Sequence, residues 1–260
     1  MFSEQRQAKI MQLLKEYNEV TVGSLTSVLS VSEATVRRDL ETLEKMNFLH
    51  RTHGGAVLIS DNSPDVRAIV NQASEISENS DNIGKTAVGL LGNDEVIAIG
   101  PGELGQAFAR NIPDDFCCTA ITNDVLVMLE LLKRPSVKVV MVGGAMLKES
   151  NDDIFASGEL AIEILDELHV DKAFLSVSGV DMEKGLTIKN YEHALIWKKL
   201  KKISNETIIL AKKEAFDKKD FIKLMPLNEV KKIISTKEVS DKYKKYFFEH
   251  GIPLYMSLDL

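Results

Sequence analysis

Five residues within seven consecutive positions have the types and spacing to read a nucleic acid: Ser32, Glu33, Thr35, Arg37 and Arg38. Val36 and Leu40 stand at i, i+4, so a helix here turns them to one face and leaves Thr35, Arg37 and Arg38 on the other. An arginine fork matches the acceptor edge of guanine, and threonine suits a methyl or a phosphate. Ser32 has the type of an N-cap for a helix running from Glu33 to Met46. Further on, Arg51 and His53 sit beside Gly54-Gly55, where a turn would hold them near phosphates or a minor groove. Taken alone, Arg37-Arg38-Asp39 also fits an exposed helix face on which the arginines pair with Asp39 or Glu41.

A second group of residues could hold a small molecule. Gly100–Gly105, Thr122–Asp124, Gly143–Gly144 and Ser178–Gly179 each follow an apolar, strand-like run. Glycine lets a ligand approach backbone amides, and a helix N-terminus favours anions. The candidates for effector contact are Gly102, Glu103, Asn123, Asp124, Gly143, Gly144, Ser178 and Gly179, with Lys85 as a cation. A catalytic alternative, of the isomerase or transferase type, would need a base from Glu103, Asp124, His169 or His193. Metal-ligand spacings, a phosphate-binding P-loop and a nucleophile elbow are missing, so no catalytic residue, metal or cofactor is assigned.

The elements that must position these groups follow from periodicity. Ile10, Leu13, Leu14 and Tyr17 form a helical stripe over Arg6–Tyr17. Thr21 caps a second helix with Leu25, Val28 and Leu29 inward, and Val36, Leu40 and Leu43 line the third. Two short strands over residues 47–58 then make a two-stranded wing. Residues 59–75 have a linker's composition. Beyond them helices are expected at 83–91, 103–111, 124–132, 160–168 and 191–203. Strands are expected at 95–99, 117–121, 137–142, 172–177 and 207–210, with short late ones at 231–235 and 252–255. Such alternation implies a mostly parallel sheet flanked by helices. The expected organisation is a small winged helix-turn-helix domain at 1–58, a linker at 59–75 and an α/β domain for effector sensing and oligomerisation at 76–260.

Length and charge are consistent with this division. The 260 residues allow one or two domains. No apolar run reaches the ~18 residues of a membrane helix, and the polar start lacks a signal peptide's apolar core. Cys117 and Cys118 are adjacent and make no disulfide framework, so a cytoplasmic protein is expected. The net charge of −7 is unevenly spread. It is zero over 1–60, −13 over 61–197 (10 basic, 23 acidic) and +8 over 198–245 (15 basic, 7 acidic). An acidic chain argues against wholesale binding to nucleic acid but leaves room for a small reading module. The lysine-rich stretch alternates with apolar residues, as solvated amphipathic faces do.

The N-terminal segment resembles the DNA-binding domain of the DeoR family of bacterial transcription regulators. The match runs through Arg6, Ile10 and Leu14, then Ser32, Thr35, Val36, Arg37, Arg38, Asp39 and Leu40, and Arg51-Thr52-His53-Gly54-Gly55-Ala56 resembles its wing. Residues 76–256 are similar to the family's sensor domain, of the ribose-phosphate isomerase and CoA-transferase type. That likeness rests on Thr122-Asn123, Val142-Gly143-Gly144, Asp171-Lys172-Ala173-Phe174-Leu175, Gly179 and Gly185-Leu186-Thr187. The resemblance implies a repressor of a carbohydrate or metabolite operon, with operator DNA, a phosphosugar-class effector and a dimeric or tetrameric assembly as partners.

The pocket loops depart from the family pattern. Gly100-Pro101-Gly102-Glu103-Leu104 stands where the family has Asp-x-Gly-Thr-Thr, so Glu and Leu replace phosphate-cradling hydroxyls. Asp124 follows Asn123 where a serine is common, and Trp197 falls at a family lysine. Three readings stay open. The domain only oligomerises; or the ligand has changed to a neutral, cationic or amine-bearing one matched to Glu103 and Asp124; or Lys85, Lys148 or Lys212 supplies the phosphate charge from new positions.

Overall fold

The computed structural model describes residues 3–17, 19–45, 48–52, 54–58, 76–148 and 153–257. The chain divides into two compact units, Met1–Ala68 and Ile69–Leu260. The expected linker at 59–75 lies outside the described residues, as does His53.

In the first unit, α1 (Ser3–Tyr17), α2 (Val22–Leu29) and α3 (Glu33–Lys45) pack around Ile10, Leu14, Leu25, Leu29, Val36, Leu40 and Leu43. Thr21 caps α2 through a reciprocal box with Ser24, and Ser30, in the left-handed region at φ 53°, turns the chain toward α3. Two sequence expectations fail on the helix faces. Tyr17 and Val28 are 61% and 55% exposed, while Val20 and Val22 join the core. The wing also gains a strand. Beside β2 (Leu49–Arg51) and β3 (Gly55–Leu58), β1 (Glu19–Thr21) pairs with β3, so the sheet has three strands in the order β1-β3-β2. Gly55 permits this, since a Cβ there would lie 1.9 Å from the Val20 carbonyl oxygen.

The second unit is built on seven parallel strands in the order β15-β14-β12-β9-β4-β5-β6. These are β4 (Val96–Ile99), β5 (Cys118–Thr122), β6 (Val137–Met141), β9 (Val170–Ser176), β12 (Ser204–Leu210), β14 (Lys232–Thr236) and β15 (Leu254–Ser257). Alternate residues feed two cores, as a doubly covered parallel sheet requires. Ile97, Ile99, Phe174, Ile208, Leu210 and Ile234 meet α4 (Glu78–Val88), α5 (Glu103–Asn111) and α6 (Val125–Leu131). Ala98, Ile121, Leu175, Ile209 and Ile233 meet α7 (Glu159–Asp166), α8 (Tyr191–Ile203) and α9 (Asp241–Glu249). Antiparallel additions complete the unit: the hairpin β7 (Ala145–Lys148) with β8 (Ile154–Ser157), and a small sheet of β10 (Gly179–Asp181), β11 (Gly185–Ile188) and β13 (Ile222–Met225).

The chain leaves β4 toward β5 and β6, then returns to β4's other side at β9 and builds outward to β15. The carboxyl ends of β4 and β9 therefore flank a topological switch point, the place where open α/β sheets bind ligands. The lysine-rich stretch is dispersed and paired, with Lys199 on Asp166, Lys201 on Glu229 and Lys232 on Glu206.

Candidate functional site

The first candidate surface is the amino-terminal half of α3. Ser32 accepts from the Thr35 backbone amide at 3.4 Å, and its hydroxyl lies 3.0 Å from that of Thr35. This holds the first turn in place. Ser32, Glu33, Arg37 and Arg38 are exposed, and Thr35 is half-buried. Arg37 makes only a loose contact with Glu33, at 3.3 Å, between two side chains that are both mostly in water. Arg38 has no ion-pair partner among the described residues. Asp39 does not pair with either arginine. It faces inward, where it accepts from the Arg6 guanidinium at 2.7 and 3.2 Å and ties α1 to α3. Removing that carboxylate from the exposed face leaves its cationic character intact. Arg51 lies at the end of β2. Its backbone amide donates to Glu44 at 2.8 Å and its guanidinium stands 3.9 Å from the same carboxylate.

The second candidate is the carboxyl edge of the seven-stranded sheet. There Gly102, at φ 97°, begins α5, and its amide donates to Asp124 Oδ2 at 3.1 Å. Asp124 Oδ1 accepts from the amides of Leu126 and Val127 at 2.7 and 2.9 Å. Asp124 is wholly buried, and that burial pushes its carboxyl above the ordinary range against the pull of three amides. Asp124 is thus an N-cap that fastens the loop after β4 to the loop after β5. It offers no free carboxylate to an amine-bearing ligand.

Glu103 is likewise engaged. Oε1 accepts from the backbone amide of Ser77 at 3.0 Å and from its hydroxyl at 2.7 Å, and Oε2 is ion-paired with Lys212. Burial raises the Glu103 carboxyl, but hydrogen bonds from Lys212, Ser77 and Ser80 outweigh it and hold the group at about 2. Both carboxylates that a cationic or amine-bearing ligand would be matched to thus already have protein partners. The same engagement removes both as ready general bases.

The remaining candidates are spread along the edge. Asn123 donates to the Ala156 carbonyl at 2.8 Å, and its buried Oδ1 has no partner among the described residues. Gly144 lets the chain pass β8, since a Cβ there would lie 2.5 Å from the Ser157 carbonyl oxygen; Gly143 is open. Ser178 donates to Asp220 at 2.6 Å, and Gly179 abuts Thr187 and Lys218. Lys85 stands apart on α4, paired with Asp81 at 3.0 Å. Among the candidates, a direct hydrogen bond joins Gly102 and Asp124, while Glu103 is held separately by Ser77 and Lys212.

Ser77, Ser80 and Ser176 are not among the candidate site residues of the sequence. Ser176, at the end of β9, donates to the Pro101 carbonyl at 3.1 Å, and Trp197 Nε1 donates to the Ser176 carbonyl at 3.2 Å. The indole thus closes backbone where the family pattern has a lysine. His193 is buried, with its ring edge-on to Phe155 at 3.9 Å, and burial pushes its imidazole down to about 4. His169 is exposed. No group of three metal-ligating side chains occurs among the described residues, and no helix among them is long and apolar enough to cross a membrane.

A helix-turn-helix with a β-wing, carried in one chain with a parallel sheet that has a topological switch point, defines a regulator that combines a DNA reader with a sensor. Residues 6–62 match the DeoR-like helix-turn-helix domain and residues 76–237 match the DeoR C-terminal sensor domain. The chain belongs to the DeoR family of transcription regulators. It is similar to the HTH-type transcriptional regulator YulB of Bacillus subtilis, at 30% identity over 90% of this chain and 89% of that one. It is also similar to the transcriptional repressor GlcR of Bacillus subtilis, at 28% identity over 98% and 96%. The L-fucose operon activator of Haemophilus influenzae matches at 28% identity over 95% and 97%.

Proposed function

We propose that the chain represses a carbohydrate- or related-metabolite-utilisation operon, and that a small effector bound at the carboxyl edge of its sheet alters operator affinity. The observation that carries the reading is the α3 face, where Arg38 is exposed with no ion-pair partner among the described residues and Arg37 is only loosely held. A partner that supplies phosphates and base edges completes such a face. Phosphate contacts set affinity and salt dependence, and side chains in the major groove set sequence preference. Ser32 and Thr35 lie at the helix start, which in this motif enters the groove; Glu33 accepts from cytosine amino groups; Arg51 and His53 serve the wing. The carbohydrate context is supported by a relative named as an L-fucose operon activator, and the sign by a relative named as a repressor.

Reading paired half-sites requires a second copy of the chain, and the sensor unit is its natural seat. The effector contacts are assigned to Gly102, Asn123, Gly143, Gly144, Ser178 and Gly179, with Glu103 and Asp124 shaping the loops that hold it. The test is selection of an operator from a random duplex pool by the full-length protein, followed by gel shift. Enrichment of one paired motif is expected. A pool that stays unselected at low salt contradicts the reading.

A further inference from the structure

Three elements meet at Glu103. Ser77 comes from the amino end of α4, Glu103 from the first turn of α5 and Lys212 from just beyond β12. One carboxylate takes a backbone amide, a hydroxyl and an ammonium, with the Ser80 hydroxyl adding to the set. The first amides of α5 add partial positive charge, as at any helix start.

A fourth group follows from the sheet register. β12 pairs with β14 from Ile208↔Lys232 to Leu210↔Ile234, and the same register carried two residues past the end of β12 sets Lys212 opposite Thr236. Ile234 packs with Ile83 and Leu210 on the α4 and α5 side of the sheet, and strand alternation turns Thr236 to that same side. Thr236 is 3% exposed and its hydroxyl has no hydrogen-bond partner among the described residues. Leaving a buried hydroxyl unpaired is unfavourable, and such groups mark places where a further partner belongs. A carboxylate presents two oxygens, and a phosphate presents more.

We propose that Glu103 is a built-in anion. It fills a phosphate-type cradle formed by Ser77, Ser80, Lys212, Thr236 and the start of α5, and so restricts the effector to compounds with no phosphate at this position, such as free sugars and polyols. The proposal rests on reading the strand-end loops as the effector site. A phosphorylated compound would have to part Glu103 from Lys212 and then sit against a like charge. An uncharged polyhydroxylated compound meets neither obstacle.

The test uses the full-length protein and two probes, inorganic phosphate and ribose 5-phosphate, titrated by calorimetry. The wild type is expected to bind neither up to about 10 mM. Glu103→Ala is expected to gain affinity for phosphate of at least about tenfold, and adding Lys212→Met should remove the gain because the cradle's full charge is lost. Equal binding by wild type and Glu103→Ala, or no gain in a variant shown to be folded by its melting curve, overturns the proposal. Should Glu103→Ala fail to fold, Glu103→Gln, which keeps the side chain's length and an acceptor for Ser77, decides by the same criterion. Operator affinity of Arg38→Ala, measured alongside, tests the regulator reading by itself, so a failure of either is told from a failure of the other.

Discussion

On α3, Arg38 stands in water with no ion-pair partner among the described residues and Arg37 is loosely held. At the sheet edge of the sensor unit, Glu103 is locked to Lys212 and Ser77, and Asp124 is spent on three backbone amides. The difference follows from what each region meets. A polyanion brings its own charges, and exposed arginines wait for it at little cost because water solvates them. A site for a small molecule is enclosed, so charges within it must be neutralised by the fold or they destabilise it. On the proposed reading, the first region stores its selectivity in what is left unpaired, and the second in what is already paired.

The contrast can be broken in several places. The largest expected effect is at Asp124: Asp124→Ala removes a cap and strands the Gly102 amide, costing about 3 kcal/mol in urea unfolding of the sensor unit. A fully stable variant would mean that Asp124 is not structural. Next is acid lability at His193. Burial holds its imidazole at about 4 against an ordinary 6.5, so the unfolded chain takes up the proton first as pH falls. The stability of the neutral ring is whole above pH 6.5 and is lost as pH drops toward 4, roughly 3 kcal/mol in all. His193→Phe should flatten the melting temperature across that window, and an unaltered profile would refute the assignment. Glu103 acts in a lower window: its stabilisation is present above about 4.5 and disappears as pH falls toward 2, and Glu103→Gln should erase that step alone. Arg37→Ala should weaken operator binding less than Arg38→Ala does, because Arg37 already has Glu33 for company. The reverse order in gel shift would transfer the main base contact to Arg37.

Much of this was legible along the chain where one element carries the whole signal. Glu103–Asn111 and Tyr191–Ile203 form helices over the span their periodicity sets out, and Val36, Leu40 and Leu43 face the core as spaced. Strand β1 was not legible: three residues hold no period, and its partner β3 lies far along the chain. Helix α9 was missed because only Tyr243 and Phe247 of its nine residues are buried, among lysines, acids and two further aromatics. The Asp124 cap was within reach, since an Asp directly before an apolar helical run is a capping signal. Glu103 was visible as a departure, but its role was not. Lys212 lies 109 residues away, and no spacing rule links them until the sheet brings the ends of β4 and β12 to the same edge.

The most direct test of the account is operator affinity of full-length Arg38→Ala against the wild type, at two salt concentrations, with oligomer mass measured on the same samples. The exposed Lys242, paired with Asp217 on the sensor unit, provides a charge-matched control as Lys242→Met. The account predicts about 10- to 100-fold weaker binding and a shallower salt slope for Arg38→Ala, with unchanged mass and a control that binds as the wild type does. Wild-type affinity in Arg38→Ala would contradict it and remove α3 as the reading element.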